Sequence, residues 1–189
     1  MSRARVSVLM LVVWVTALSA TVTVPLEFRA VVRESTVIVV GHVTDVRGLA
    51  RDDGGIDSIV TIAVDGSIKG DPDRYLSMRV PGGQIGRVRS TMIGAPTFDV
   101  RQQAVFFLKP GPDRMLRPVG VGAGVYRISM DAKTGAAMVD PPLVLGVTAA
   151  ACRVVRGDPK RRLMNLKEFV SLTKLVMAGQ TASTGGPIK

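Results

Sequence analysis

Residues suited to acid/base or metal chemistry are few in this sequence. His42 is the one histidine and Cys152 the one cysteine in 189 residues. A zinc site usually takes three or four ligands from His, Cys and carboxylates, and these two lie far apart in the chain. A Ser-His-Asp arrangement needs only one histidine, but no Gly-x-Ser-x-Gly motif is present. We therefore predict no catalytic residue, no metal site and no cofactor, and interpret His42 as a structural strand residue.

Three carboxylates follow one another in a stretch that has the composition of a loop. Asp52, Asp53 and Asp57 surround a pair of glycines. They could hold calcium weakly, but their spacing lacks the alternation and the terminal Glu of an EF-hand loop. Since aspartate bonds the backbone locally in turns, we interpret them as turn residues.

Two glycine clusters have the composition of phosphate-binding loops without the rest of the motif. Residues 81–86 read PGGQIG and lack the Lys-Ser/Thr that follows a P-loop, and residues 120–124 read GVGAG and lack the last glycine spacing and the helix of a dinucleotide fingerprint. Both clusters therefore indicate turns or strand crossings.

The arginines in the middle of the chain are the most suggestive polar feature. Arg87 and Arg89 are two residues apart, so they share one face of an extended strand, and Arg79 lies nearby in sequence. These three form a candidate contact for an anion or a partner, and a solvated strand face is the alternative.

A second basic group precedes the carboxyl-terminal helix predicted below. It consists of Arg153, Arg156, Lys160, Arg161 and Arg162. Such a group could make weak contact with membrane phosphates. The net charge is +10, but aromatic residues are only 4% of the chain, so we expect no specific nucleic-acid partner.

The amino terminus has the layout of a secretory signal peptide. Arg3 and Arg5 precede an apolar run over 6–18, and the small residues Ser19 and Ala20 follow. The run is shorter than the roughly 20 residues that a spanning helix needs. We predict that residues 1–20 are a signal peptide and that the protein is exported, to the periplasm or the extracellular space.

The central part of the chain alternates apolar runs with turn residues. The pattern predicts a short helix over 25–35, a strand over 37–46 with a bulge or bend at Gly41, an exposed loop over 47–57 and a half-buried strand over 58–68. It then predicts a strand ending at Val80, a reversal at Pro81, Gly82 and Gly83, a longer extended run, and a buried strand over 105–108. With 47% hydrophobic residues and few aromatics, a compact β interior is favoured. The predicted fold is mainly β, a small barrel or barrel-like sandwich of the OB-like kind, spanning 25–142.

The remaining predictions concern the last third of the chain. We predict a hairpin turn over 109–114, strands over 114–119, 123–130 and 136–139, a turn over 131–135, and an end of the β region at Pro141 and Pro142. The segment 143–178 then contains an amphipathic helix from about 160 to 178, and residues 179–189 form a disordered tail.

Several short motifs carry a resemblance to known proteins. They are Val39–Val43, Ile68–Gly70, Pro81–Gly83, Gly94–Phe98 and Val105–Leu108. In this order they resemble a group of uncharacterised exported bacterial proteins, from about Leu26 to Gly124. That group usually has Gly-Glu before the closing strand, where this chain has Arg101, Gln102 and Gln103.

The arrangement is also distantly similar to netrin-like and metalloprotease-inhibitor domains. That similarity implies a five-stranded barrel of the oligonucleotide/oligosaccharide-binding type. Those inhibitors use an amino-terminal cysteine and several disulfides, which this chain lacks, so inhibition does not carry over with the fold.

Three functions are compatible with these features. The first is an exported, non-enzymatic β domain that binds a protein or polymer partner in the cell envelope. The second is a protease-associated or inhibitory module. The third is a hydrolase of unrecognised type, which requires His42 to meet a serine and a carboxylate in one pocket.

Overall fold

A computed structural model describes residues 27–148, 151–156 and 163–179. The predicted signal peptide 1–20, Lys160, Arg161, Arg162 and all of the predicted tail except Gly179 lie outside these ranges.

The described chain is built mainly from strands, with one helix near each end. Its elements are α1 (Phe28–Glu34), β1 (Val37–Ala50), β2 (Ile56–Lys69), β3 (Tyr75–Pro81), β4 (Gly83–Ile85), β5 (Val88–Ser90), β6 (Gln103–Pro110), β7 (Leu116–Pro118), β8 (Val125–Met130), β9 (Ala137–Asp140), β10 (Leu143–Thr148), β11 (Ala151–Arg156), β12 (Met164–Asn165) and α2 (Leu166–Met177). The predicted mainly-β class with a short first helix and a carboxyl-terminal helix is confirmed.

Five strands close into a barrel in the order β1-β2-β3-β7-β6, because β6 pairs again with β1. The β3–β7 pair is parallel, with Met78 opposite Leu116, and the other four pairs are antiparallel. Strands β8, β9 and β12 continue the sheet from β6. The expectation of a small OB-like barrel is therefore confirmed.

The bend that closes the barrel includes Gly41, as its place inside an apolar strand predicts. The register between β1 and β2 shifts between Val40 and Gly41. A side chain at position 41 would place its Cβ only 2.5 Å from the carbonyl oxygen of Ala63. The absence of a Cβ therefore lets the two strands approach at the bulge.

Strand β6 has a hydrophobic core on each of its faces. Ala104, Phe106 and Leu108 belong to the core inside the barrel, whereas Val105 and Phe107 belong to a second core beneath the helices. This explains why the strand reads as an unbroken apolar run instead of alternating. The second core also contains Phe28 of α1, Phe169 of α2 and Tyr126 of β8.

Several expectations about local structure need correction. The predicted loop over 47–57 is confined to 51–55, because β1 extends to Ala50 and β2 begins at Ile56. Arg51 pairs with Asp53 and Asp57 across the strand ends, so the charges that indicated an exposed loop largely satisfy one another.

The predicted reversal at Pro81–Gly83 is also displaced. At Gly82, with φ 88°, the chain leaves the barrel sheet, and it reverses at Gly86 and Arg87, between β4 and β5. The longer extended run predicted after this reversal is therefore a hairpin followed by a loop.

The β region does not end at Pro141 and Pro142. Strands β10 and β11 form a hairpin after them, and β12 rejoins the main sheet with Met164 opposite Val139. The amphipathic helix begins at Leu166, later than the predicted 160, and Asn165 caps its first turn by accepting a hydrogen bond from the Lys167 amide (2.9 Å).

The glycine-rich segment 119–124 wraps tightly over β6. The Val119 amide donates to the Phe107 carbonyl (2.9 Å), and the Phe107 amide donates to the Gly124 carbonyl (2.8 Å). This segment is a strand crossing, in agreement with the sequence interpretation.

Gly124→Ala tests this close approach. A Cβ at position 124 would lie 2.7 Å from both the Phe107 oxygen and the Val119 nitrogen, and these backbone atoms cannot rotate away. We expect a loss of about 2 kcal/mol in the free energy of unfolding, measured by urea denaturation. The control is Gly66→Ala, whose Cβ meets nothing within 4 Å. Equal effects of the two substitutions would contradict the packing argument.

Candidate functional site

Arg79 lies in β3 and joins a cluster of ionic groups at one end of the barrel. Its Nε donates to Asp57 (2.6 Å) and its Nη1 to Asp113 (2.8 Å). Arg117 also donates to Asp113 (3.0 Å), and Arg51 approaches Asp57 at 3.6 Å. The cluster ties the β1–β2 loop, β3 and the β6–β7 turn together.

With Asp53, which pairs with Arg51, the cluster contains three arginines and three aspartates and is partly buried. The side chain of Asp57 is 6% exposed and that of Arg79 is 20% exposed. The hydrogen bond with Asp57 raises the pKa of Arg79. Burial alone would raise the pKa of Asp113, but the hydrogen bonds from Arg117 and Arg79 outweigh it, so the pKa of Asp113 lies below its ordinary value. The positive charge of Arg79 is therefore balanced by Asp57 and Asp113 within the fold.

Arg87 and Arg89 lie away from this cluster, on the β4–β5 hairpin. Arg87 occupies the turn and Arg89 lies in β5, so the two do not belong to one strand as predicted. Both are exposed. Within the described ranges, no ion pair involves either guanidinium, so both positive charges face solvent.

Exposed aliphatic side chains lie close in sequence to these two arginines. Ile85 is 42% exposed, Val88 66%, Met92 46% and Ile93 82%. We call these four residues, together with Arg87 and Arg89, the hairpin surface. Large apolar side chains exposed next to unpaired arginines are typical of contact surfaces for other macromolecules.

A cavity of about 260 Å³ opens between the base of the hairpin and the segment 95–99. Arg89 and Asp99 line it from opposite segments, together with the hydroxyl-bearing residues Ser58, Ser90 and Thr91. Arg127 anchors the far wall by donating to the Thr97 carbonyl (2.8 Å). The volume is below the ~300–1,000 Å³ of clefts that hold a whole small-molecule ligand, so it suits one or two side chains of a larger partner.

The hairpin is held against the barrel by a close contact at Gly48. A Cβ built on Gly48 of β1 would clash with the Gln84 carbonyl oxygen and lie 2.6 Å from Cγ1 of Ile85. The Gly82 amide donates to the Ile56 carbonyl (3.0 Å), and Ser58 Oγ donates to the Gly82 carbonyl (2.8 Å). The hairpin surface therefore has a defined position on the barrel.

His42 lies on β1 and pairs with Asp65 of β2. Its Nδ1 is 3.1 Å from Oδ1 of Asp65, and the two side chains are 38% and 41% exposed. Within the described ranges, no serine hydroxyl is hydrogen-bonded to this imidazole. The geometry is that of a surface pair linking neighbouring strands.

The three aspartates of the first loop separate in the structure. Asp57 is buried on β2 with Arg79. Asp53 accepts hydrogen bonds from the Gly55 amide and from Arg51, and these bonds lower the pKa of Asp53. Asp52 is exposed. Over residues 27–148, 151–156 and 163–179, no three His, Cys, Asp or Glu side chains gather where they could hold a metal ion.

The second basic group is described only in part. Arg153 and Arg156 lie in β11, with Arg156 opposite Leu143. Cys152 lies in the same strand, opposite Val147. In the described chain, no helix has the length and apolar character required to cross a bilayer.

Sequence reasoning selected Arg87 and Arg89 but missed the aliphatic side chains beside them. The signal was present: Ile85, Val88, Met92 and Ile93 fall within ten residues, interrupted by the turn residue Gly86. Reading the run as one strand hid the hairpin, and with it the exposure of its side chains. No protein-family model and no curated protein matches this chain.

Proposed function

We propose that this protein is an exported, non-enzymatic β domain that binds a partner in the cell envelope, and that the partner is a protein. The observation that carries the proposal is the hairpin surface, where four exposed aliphatic side chains and two exposed arginines fall within residues 85–93. Export is supported by the pattern of residues 1–20.

The composition of the hairpin surface favours a protein over a polysaccharide or a nucleic acid. Sugar and base recognition commonly use exposed aromatic rings, and residues 82–97 contain none. Aliphatic side chains with arginine at their margin are instead suited to an apolar patch on a protein that carries acidic residues at its rim.

The environment of His42 supports a binding role over hydrolysis. Its imidazole meets a carboxylate on an open strand surface, and it does not line the described cavity. The cavity contains hydroxyl groups but no imidazole to activate them.

The double substitution Val88→Ser/Ile93→Ser tests the proposal. Removing two exposed contact residues, each worth more than about 1 kcal/mol at an interface, is expected to reduce capture of the partner at least tenfold. The measurement is quantitative cross-linking and pull-down from envelope extracts with the full chain as bait. Folding should be unchanged within about 0.5 kcal/mol, because both side chains are exposed.

The matched control is Tyr75→Ser/Met130→Ser. These residues are 55% and 64% exposed but lie outside the hairpin surface. The control should capture as much partner as the unmodified chain. A partner retained equally by both double variants would refute the hairpin surface as the binding site.

A further inference from the structure

Strand β5 presents an open backbone edge within the hairpin surface. Gly86 stands at the first central position of the two-residue turn with φ 57°, as a type II′ turn requires, and Ile85 and Val88 enclose it. Hydrogen-bonded and non-hydrogen-bonded pairs alternate along an antiparallel ladder. The next pair, Gln84 and Arg89, therefore points its backbone groups away from the partner strand.

The two outward edges of the hairpin differ in what they meet. The Gln84 carbonyl oxygen points at β1, where it lies against Gly48. On the opposite side, the backbone of Arg89 makes no hydrogen bond to another element of the described chain. One edge is therefore covered by the barrel, and the outward backbone groups of the other are unpaired within the described residues.

The charges on this edge indicate what such a strand carries. Residues 82–98 contain Arg87 and Arg89 and no acidic residue. A second copy of the chain pairing through β5 would bring arginines against arginines, which disfavours self-association. A segment with acidic residues would instead neutralise both guanidinium groups.

We propose that β5 recognises its partner by strand addition, pairing with an extended segment of the partner that alternates acidic with β-branched or aliphatic residues. The backbone of that segment bonds to the N–H and C=O of Arg89, its carboxylates meet Arg87 and Arg89, and its apolar side chains lie on the opposite face, beside Val88. This inference rests on the proposed function and specifies the chemistry of the partner at the same surface.

A library of random nine-residue peptides displayed on phage provides a defined probe. Selection on the full chain should yield peptides with Asp or Glu at alternate positions, Val, Ile or Thr between them, and no proline. In NMR titrations, a selected peptide should shift the Arg89 amide and slow its hydrogen exchange at least tenfold. A selection that yields no binders, basic binders, or peptides that leave the Arg89 amide unaffected overturns strand addition.

Arg89→Pro isolates the contribution of the backbone. Proline removes the outward N–H but none of the hairpin's own hydrogen bonds, and it is tolerated at an outward-facing edge position. Arg89→Ala removes the guanidinium alone. We expect Arg89→Ala to weaken the selected peptide about fivefold, and Arg89→Pro to weaken it by a further fivefold to tenfold. Equal affinities of the two variants would overturn the backbone contact, and the hydrogen exchange of the unmodified chain remains an independent test.

The two proposals fail in different ways. If the envelope partner is lost with Val88→Ser/Ile93→Ser but bound equally by Arg89→Ala and Arg89→Pro, the hairpin surface stands and strand addition is overturned. If neither set of substitutions affects capture, both are overturned.

Discussion

Phe107→Ala is expected to lower the free energy of unfolding by about 3–5 kcal/mol, the largest effect of any single substitution considered for this protein. The Phe107 side chain is fully buried. Its ring centroid lies 5.8 Å from that of Phe28, 5.1 Å from Tyr126 and 6.2 Å from Phe169. Removing the ring therefore leaves a cavity where α1, α2 and β8 meet over the barrel, and α2 loses its anchor. Urea denaturation monitored by far-ultraviolet circular dichroism measures the change.

Phe98→Ala is the matched control for Phe107→Ala. Phe98 is only partly buried and contacts one aromatic ring, that of Phe106, at 6.4 Å. We expect a cost of about 1 kcal/mol, because little apolar area leaves the core. A cost at Phe98 equal to that at Phe107 would contradict the view that the aromatic cluster under the helices is the main link between the barrel and α2.

The barrel was predictable because its strands carry strong local signals. Val60, Ile62 and Val64 alternate with Thr61, Ala63 and Asp65, and the bulge at Gly41 follows from a glycine inside an apolar strand. The unbroken apolar run of β6 also indicated burial. The run is buried because each face of β6 packs against a separate core. One of these cores depends on helices far away in sequence, so the residues of β6 alone do not indicate it.

The failures arise from long-range interactions, of which the satisfaction of polar groups is one. Asp57 looked like a loop residue because charged residues usually face water, but Arg79 and Arg51 neutralise it at the end of the barrel. Strands β10 and β12 were missed because prolines precede the first and only two residues form the second. Pairing of Met164 with Val139 creates β12, and no local pattern encodes it.

The binding surface was only half predictable. Arg87 and Arg89 stood out because they are two positive charges placed two residues apart. The hairpin that exposes Val88 depends instead on Gly86 adopting a positive φ. Gln84, Ile85 and Gly48 then fix where that hairpin lies. A sequence pattern shows that a turn is possible but not which face of the barrel the hairpin covers.

Arg79→Met is expected to cost about 3 kcal/mol of unfolding free energy at neutral pH. Its guanidinium is the main partner of Asp57, whose side chain is 6% exposed, so its removal leaves a buried carboxylate with only Arg51 at 3.6 Å. Asp57→Leu should cost less, because Arg79 keeps its 2.8 Å bond to Asp113. Urea denaturation of each variant at pH 7 gives the two values.

The double variant Asp57→Leu/Arg79→Met separates the cost of an unpaired charge from the value of the ion pair. Since an apolar pair of similar volume leaves no buried charge, we expect the double variant to be less than about 1 kcal/mol below the unmodified protein, well short of the sum of the single effects. Additive costs would show that the pair itself provides the stability.

The ion cluster also predicts how stability responds to acid. The pKa of Asp113 is lowered in the folded state, so its contribution is fully present above the unfolded pKa of about 3.9 and is lost as pH falls through the lower folded value. Compared with Asp57→Leu alone, the double variant Asp57→Leu/Arg79→Met lacks one of the two arginines that lower this pKa, so it should lose less stability between neutral pH and pH 3. Identical acid dependence in both proteins would mean that Arg117 alone holds the carboxylate, and the link from β3 to the β6–β7 turn would then carry no electrostatic stabilisation.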